Sequence, residues 1–235
     1  MTMRLVLALL CLSSLAYADE PAGIITGIVG FEGELPAQPE QKRDSDPKCP
    51  QHITDDAVVV NKGKLAGVLV RIQNGTMGEH KPPTAPLVLD QKGCSYTPRV
   101  AGIIAGQKVV VRNSDKTFHN VWGVLAGGKE LWNKPQGPGA AQLEFDPSAA
   151  KPGDIVEIKC GVHGWMHAYV AVQDHPYFTV TGDDGKFEFK GLAIGKYTLE
   201  AWHPVFGKKT LQVEIGKGGR GKVNARFGWK PNDLP

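Results

Sequence analysis

Short runs of β-branched and apolar residues, broken by glycine, proline and polar turns, fill most of this 235-residue chain. Long helical periodicity is absent, so the pattern predicts an all-β protein of many short strands. Ile24 to Gly33 reads as one strand ending in a turn. Val58 to Asn61 and Leu65 to Ile72 are two more, joined through Lys62-Gly63-Lys64. Residues 36–50 are polar and rich in Pro, Gln, Lys and Asp, so they read as a long exposed loop, and residues 74–86 read as another loop. From Pro86 onward the pattern tightens. Strands are predicted at Leu87–Leu89, Val100–Ile104, Val109–Arg112, Val121–Leu125, Leu143–Phe145, Asp154–Lys159 and Ala168–Gln173. Residues 127–141, with Trp132 among Gly, Pro and Lys, read as a loop. After residue 175 the rhythm changes. Tyr177–Thr181 and Lys186–Phe189 flank Gly182-Asp183-Asp184-Gly185 as a hairpin. Lys196–Trp202, Lys209–Ile215 and Lys222–Phe227 follow as strands.

The first eighteen residues have the form of a secretory signal: Arg4, an apolar run from Leu5 to Leu15, and Ala16-Tyr17-Ala18 as a small-x-small cleavage site. The run is too short to span a bilayer. A protein exported to the periplasm or secreted, without membrane insertion, is the expectation. Removing Arg4 takes the formal charge of +3 down by one. So weak a charge gives no reason to expect nucleic acid as a partner. Asn74-Gly75-Thr76 fits a glycosylation sequon, a pattern too common to weigh.

Cleavage would also remove Cys11 and leave Cys49, Cys94 and Cys160. An odd number of cysteines in an exported protein needs an explanation. If Cys160 is a metal ligand, Cys49 and Cys94 are free to pair, or both stand as buried free thiols.

The case for Cys160 rests on Lys159-Cys160-Gly161-Val162-His163-Gly164-Trp165-Met166, with Phe118-His119-Asn120 upstream. One thiolate, two imidazoles and one thioether are the donor set of a type 1 copper site: His119, Cys160 and His163 in a plane and Met166 as a weak axial ligand. Cys160 would end a strand, and the tight Cys-x₂-His-x₂-Met loop would return His163 and Met166 to the same ion. Asn113 and Asn120 are candidates for hydrogen bonds that pin these loops or tune the sulfur. Zinc competes, but a thioether is a poor zinc ligand. His167 could replace it only by pointing to the opposite side of its strand from Met166.

The stretch from Tyr96 through Ala105-Gly106-Gln107-Lys108-Val109-Val110-Val111-Arg112-Asn113-Ser114-Asp115 to Phe118-His119-Asn120-Val121 resembles the first-ligand half of the cupredoxin family, the plastocyanin- and amicyanin-like proteins. Cys160 to Met166 resembles that family's ligand loop. The resemblance covers roughly residues 84–174. It implies a Greek-key β-sandwich and one copper held by His119, Cys160, His163 and Met166. Phe178–Phe187 and Gly191–Trp202 resemble the carboxypeptidase regulatory-like, transthyretin-type sandwich. Its early strands look like Thr26–Val29 and Ala66–Val70. The expected organisation is therefore a signal at 1–18, N-terminal strands and a loop at 19–83, a cupredoxin at 84–174 and a second small sandwich at 175–235. Residues 19–83 belong to a second sandwich split in sequence or extend the first. The whole chain also resembles exported bacterial plastocyanin-like and methylamine-utilisation proteins. In these a proline commonly follows the second histidine, where this chain has Gly164.

These readings make the protein a one-electron carrier with a redox protein partner, not an enzyme. His163 would lie near the surface, ringed by Val162, Gly164 and Trp165, at a docking patch. Copper handling without electron transfer is the second reading; no Met-rich or His-rich tract favours it. Multicopper oxidases flank the cysteine with histidines, where this chain has Lys159 and Gly161. Trp202-His203-Pro204 reads as a packed Trp beside a surface His. An adhesive role for the second sandwich has no ligand signature.

Overall fold

The computed structural model describes residues 23–38, 40–73, 78–216 and 222–233. The signal-like segment with Cys11, and the sequon at 74–76, lie outside these residues.

Among the described residues the fold is all-β: two sandwiches and a two-stranded ribbon, with one 3₁₀ turn at Pro231–Asp233. One sandwich uses both ends of the chain. Gly23–Phe31 is the central strand of its first sheet. It pairs antiparallel with Lys186–Leu192, parallel with Lys222–Trp229, and at one edge with Lys64–Leu65. The facing sheet has the order Phe178–Val180, Leu69–Ile72, Gly195–His203, Gly207–Ile215. Ile25, Val29, Val70, Ile72, Phe187, Phe189, Leu199, Phe227 and Trp229 fill the space between. Their alternation along each strand is the period-two pattern that one buried face imposes.

The second sandwich lies between these halves in sequence. One sheet runs Glu130–Gln136, His119–Leu125, Ile155–Lys159, His167–Gln173, Val100–Ile104; the other runs Leu143–Phe145, Val109–Asn113, Leu87–Gln91, Tyr96–Thr97. Each sheet contains one parallel pair, Val100–Ile104 with His167–Gln173 and Leu87–Gln91 with Val109–Asn113. The chain changes sheet between them, as Greek-key connections require. Leu89, Ile103, Val111, Val121, Ile158, Val170 and Val172 form its core.

Five expectations differ from the structure. Leu65–Ile72 is not one strand: Gly67 takes φ +71° and the chain passes from one sheet to the other there. Tyr177–Thr181 and Lys186–Phe189 are not a hairpin. The first lies beside Leu69–Ile72 and the second beside Gly23–Phe31, so the turn bridges the two sheets. Gly185 needs its freedom here, because φ is +63° and a Cβ would stand 2.4 Å from the Val29 carbonyl oxygen. Residues 127–141 contain the edge strand Glu130–Gln136, whose polar face is solvated and whose Trp132 stacks on Phe145 at 4.8 Å. Pro135 is tolerated because an edge strand leaves one row of N–H groups unpaired. Residues 36–50 are no free loop, because Arg43 and Cys49 are buried. His203, expected at the surface, is buried as well, 2 % exposed.

The sandwiches meet at Leu69, Val100 and Ala171, with Phe178 and Trp202 packed around them. Gly102 leaves room for the Phe178 ring; a Cβ there would meet it at 2.4 Å.

Candidate metal centre

Two strands and two turns build the site. Val109–Asn113 runs into a turn that delivers His119, the first residue of His119–Leu125. Asn113 shapes this turn. Its Nδ2 donates to the carbonyls of Thr117, Gln136 and Gly137 at 2.9, 3.1 and 3.2 Å, and its Oδ1 accepts the Asp115 N–H at 2.9 Å. Ile155–Lys159 ends at Cys160. The loop beyond it closes on itself: the Met166 N–H donates to the His163 carbonyl at 2.9 Å, and the Cys160 N–H to the Met166 carbonyl at 3.3 Å.

Asn120 ties the two turns. Its backbone N–H donates to Cys160 Sγ at 3.4 Å, its Oδ1 accepts the Gly161 N–H at 3.0 Å, and its Nδ2 donates to Asn133 at 2.6 Å. The Tyr96 hydroxyl donates to the carbonyls of Asn120 and Lys159, each at 3.3 Å, bracing the same pair of strands. Burial, then the nearby Cys160, pushes its phenol above the usual tyrosine range, so it stays a donor.

The tertiary fold brings His119, Cys160 and His163 together, with potential ligand atoms all within 4.8 Å of one another and all three residues buried. Met166, in the same loop, is 1 % exposed. His119 Nδ1 lies 3.0 Å from His163 Nδ1, and Cys160 Sγ lies 3.7 Å from His163 Nδ1. The far nitrogen of each ring faces a carboxylate: His119 Nε2 at 2.9 Å from Asp115, His163 Nε2 at 3.3 Å from Asp46.

That arrangement assigns the tautomers. Carboxylates accept, so each Nε2 carries the proton and each Nδ1 turns a lone pair inward. Two nitrogen lone pairs and the Cys160 sulfur then converge on one buried point, a donor set that a soft cation satisfies. Burial, opposed in part by Asp115, holds His119 below the ordinary imidazole range, which keeps it neutral and able to bind a metal. His167 takes no part: its Nδ1 pairs with Glu157 at 2.9 Å and its Nε2 accepts nothing from the site, facing the Gly164 carbonyl at 2.8 Å.

Asp115, Asp46, Thr117 and Gln136 also belong to the site, although no ligand motif in the sequence marks them for it. Asp115 anchors its own turn, accepting the N–H groups of Gly93 and Cys94 at 2.6 and 2.9 Å. Gln136 pairs in register with His119 and hydrogen-bonds Gln91 at 2.5 Å beneath it. A short-range signal existed for Asp115, four residues before His119. None existed for Asp46, which is 117 residues from His163.

Cys49 and Cys94 are disulfide-bonded, with Cα atoms 5.5 Å apart, and Cys160 is the free cysteine among the described residues. The bridge brings residues 43–49 over the ligand end. The expectation that His163 lies near the surface is therefore overturned: it is 0 % exposed, although its neighbour Val162 is 51 % exposed. Asp46 covers one edge of the ring and Trp165 lies beside it, ring centroids 5.1 Å apart. Trp165 in turn donates to the Cys94 carbonyl at 3.0 Å.

No protein-family model matches the chain, and no curated protein matches it. Among solved structures, a purple cupredoxin from Nitrosopumilus maritimus is 21 % identical over 37 % of this chain and 99 % of its own, with a TM-score of 0.32. An amicyanin mutant in its reduced state is 19 % identical over 44 % of this chain and 98 % of its own, TM-score 0.33. A copper-containing nitrite reductase from Thermus scotoductus is 20 % identical over 44 % of this chain and 26 % of its own, TM-score 0.33.

Proposed function

We propose that this chain is an exported type 1 copper protein of the cupredoxin kind, a one-electron carrier that meets a redox protein partner and performs no catalysis. The observation that carries the reading is the convergence of two imidazole nitrogens and the Cys160 sulfur on one buried point. His119, Cys160 and His163 would hold the ion, with Met166 beside them in the ligand loop. When bound, copper supplies the one-electron Cu(I)/Cu(II) couple, since thiolate and thioether favour the cuprous state and imidazole serves both.

The chain's own residues keep the donor set still. Asn113 holds the turn that carries His119, Asn120 links that turn to the Cys160 loop, and Tyr96 braces both strands from below. A donor set that barely moves needs little reorganisation when an electron arrives or leaves. The Asn120 N–H on Cys160 Sγ draws charge from the sulfur and so tempers its donation to the ion.

The visible absorption and EPR spectra of the mature protein loaded with Cu(II), beside Cys160→Ser, test this. An intense thiolate-to-copper band with narrow hyperfine splitting, absent in the variant, is the expected result. A colourless protein whose ordinary Cu(II) signal ignores the substitution would sink the electron-carrier reading.

One observation favours a second reading, copper handling without electron transfer. Both imidazoles are 0 % exposed, so neither presents an edge to a partner. A measured electron self-exchange separates the two: exchange on the second timescale or faster supports the carrier, and none over hours supports the handling role.

A further inference from the structure

The least expected part of the site comes from far away in sequence. Residues 43–49 leave the N-terminal strand of the other sandwich and are stapled to the metal end through Cys49–Cys94. The staple itself lies against the site: Cys49, Cys94 and His163 offer atoms within 4.8 Å of one another. Arg43 is buried; it donates to the Gly93 carbonyl at 2.7 Å and to Ser95 at 3.2 Å, and its guanidinium lies 5.3 Å from the Trp165 ring centroid. Gln51 holds the segment from within, donating to the carbonyls of Cys49 and Asp46 at 2.7 and 3.0 Å. These contacts hold the segment against the site, and it aims one carboxylate inward. Asp46 Oδ2 accepts a short hydrogen bond from the Thr117 hydroxyl and faces His163 Nε2 at 3.3 Å.

We propose that the stapled segment is a cap of the copper site and that Asp46 is a positioning residue for His163. The inference rests on the copper reading above. Through Nε2, Asp46 fixes the ring with Nδ1 turned to the ion. Its negative charge also favours the cupric over the cuprous state, because the carboxylate raises the basicity of the imidazole and adds anionic charge beside the ion. Asp115 does the same for His119 from within the sandwich, so the pair gives this site two carboxylates behind its two imidazoles. Arg43 opposes them with one buried cation over the Trp165 ring. The cap also closes the His163 edge to solvent ligands, leaving small apolar residues such as Val162 as what the ligand loop shows outside.

Asp46→Asn keeps the shape and removes the charge. Asp44→Asn removes a charge from the same cap where the side chain is 68 % exposed, and serves as the control. The expected result is a Cu(II)-over-Cu(I) preference about tenfold lower in Asp46→Asn, a rise in potential of about 59 mV, with Asp44→Asn unchanged. Equal potentials in the two variants would overturn the positioning role. A metal-free measurement judges the cap separately. Alkylation of Cys160 in the copper-free protein should be slow, and at least tenfold faster in Asp46→Ala and in the Cys49→Ser/Cys94→Ser double variant. Rates equal to the parent protein in both would overturn the cap. If no protein develops the thiolate-to-copper band, the copper reading fails while the alkylation rates still decide for or against the cap.

Discussion

The pair Arg71–Glu200 offers a sharp test of how the sandwich built from both chain ends is held together. The two residues are opposite each other on Leu69–Ile72 and Gly195–His203. Arg71 Nε lies 2.8 Å and its Nη2 2.5 Å from the same Glu200 oxygen, and the side chains are 10 % and 2 % exposed. At an effective dielectric of about 20, two unit charges 2.8 Å apart attract by about 6 kcal/mol. Taking both out of water costs several kcal/mol per ion, so the net value of the pair is near zero. Removing one partner forfeits the attraction and leaves the other charge stranded. Glu200 has secondary partners, Gln73 at 2.5 Å and Lys208 at 3.9 Å; Arg71 has the Gly153 carbonyl at 3.2 Å. Arg71→Met, which strands the deeper charge, should therefore destabilise by about 3–5 kcal/mol, and Glu200→Leu by somewhat less. The double variant, with two apolar side chains of similar volume, should return to within about 1 kcal/mol of the parent. Urea unfolding followed by tryptophan fluorescence reads all four proteins, with equal m-values as the condition for comparing them. Single variants that each lose under about 1 kcal/mol, with losses that simply add, would refute the reasoning, because independent sites add and coupled ones do not.

Three further outcomes are expected. Cys49→Ser/Cys94→Ser opens a loop closed over 45 residues, and chain entropy puts the loss at about 4 kcal/mol in denaturant unfolding; a loss below about 1 kcal/mol would show that the unfolded chain gains little freedom from it. Asn120→Ala removes the acceptor of the exposed Gly161 N–H, which water then replaces, so stability should fall by only about 1 kcal/mol while copper loss to a chelator speeds up; an unchanged rate would remove Asn120 as the tie between the ligand turns. Burial lowers the His203 pKa to about 4, below its unfolded value near 6.5, so the unfolded state binds the extra proton first: stability is full above pH 6.5 and falls by about 3 kcal/mol by pH 4, a decrement that His203→Asn should lack in pH-dependent unfolding.

The chain's local chemistry was legible because its signals are contiguous. Period-two runs identified most strands, since a strand with one buried face must alternate. Lys62-Gly63-Lys64 marked a tight turn, and both Lys62 and Gly63 take positive φ, 49° and 70°. His119, Cys160, His163 and Met166 stood out as donors because Cys-x₂-His-x₂-Met lies within one loop. The edge strand Glu130–Gln136 was hidden because its partner is on one side only, so its outer row could stay polar. The crossing at Gly182–Gly185 read as a hairpin because a turn's residues state that the chain reverses, not which sheet each arm joins.

Sequence by itself determined the class of the fold, and it singled out the candidate donor residues and the turns that carry them, all of which depend on residues within a few positions of one another. Tertiary structure decided what surrounds those donors. It paired Gly23–Phe31 with Lys222–Trp229 across nearly the whole chain, and it set Arg71 against Glu200 and His119 beside Gln136. It also laid a polar, proline-rich segment over the metal end, so that Asp46 meets His163 and the histidine expected at the surface is buried. Long-range contacts of this kind follow from which apolar faces must cover each other and where a disulfide closes, and no local pattern encodes either.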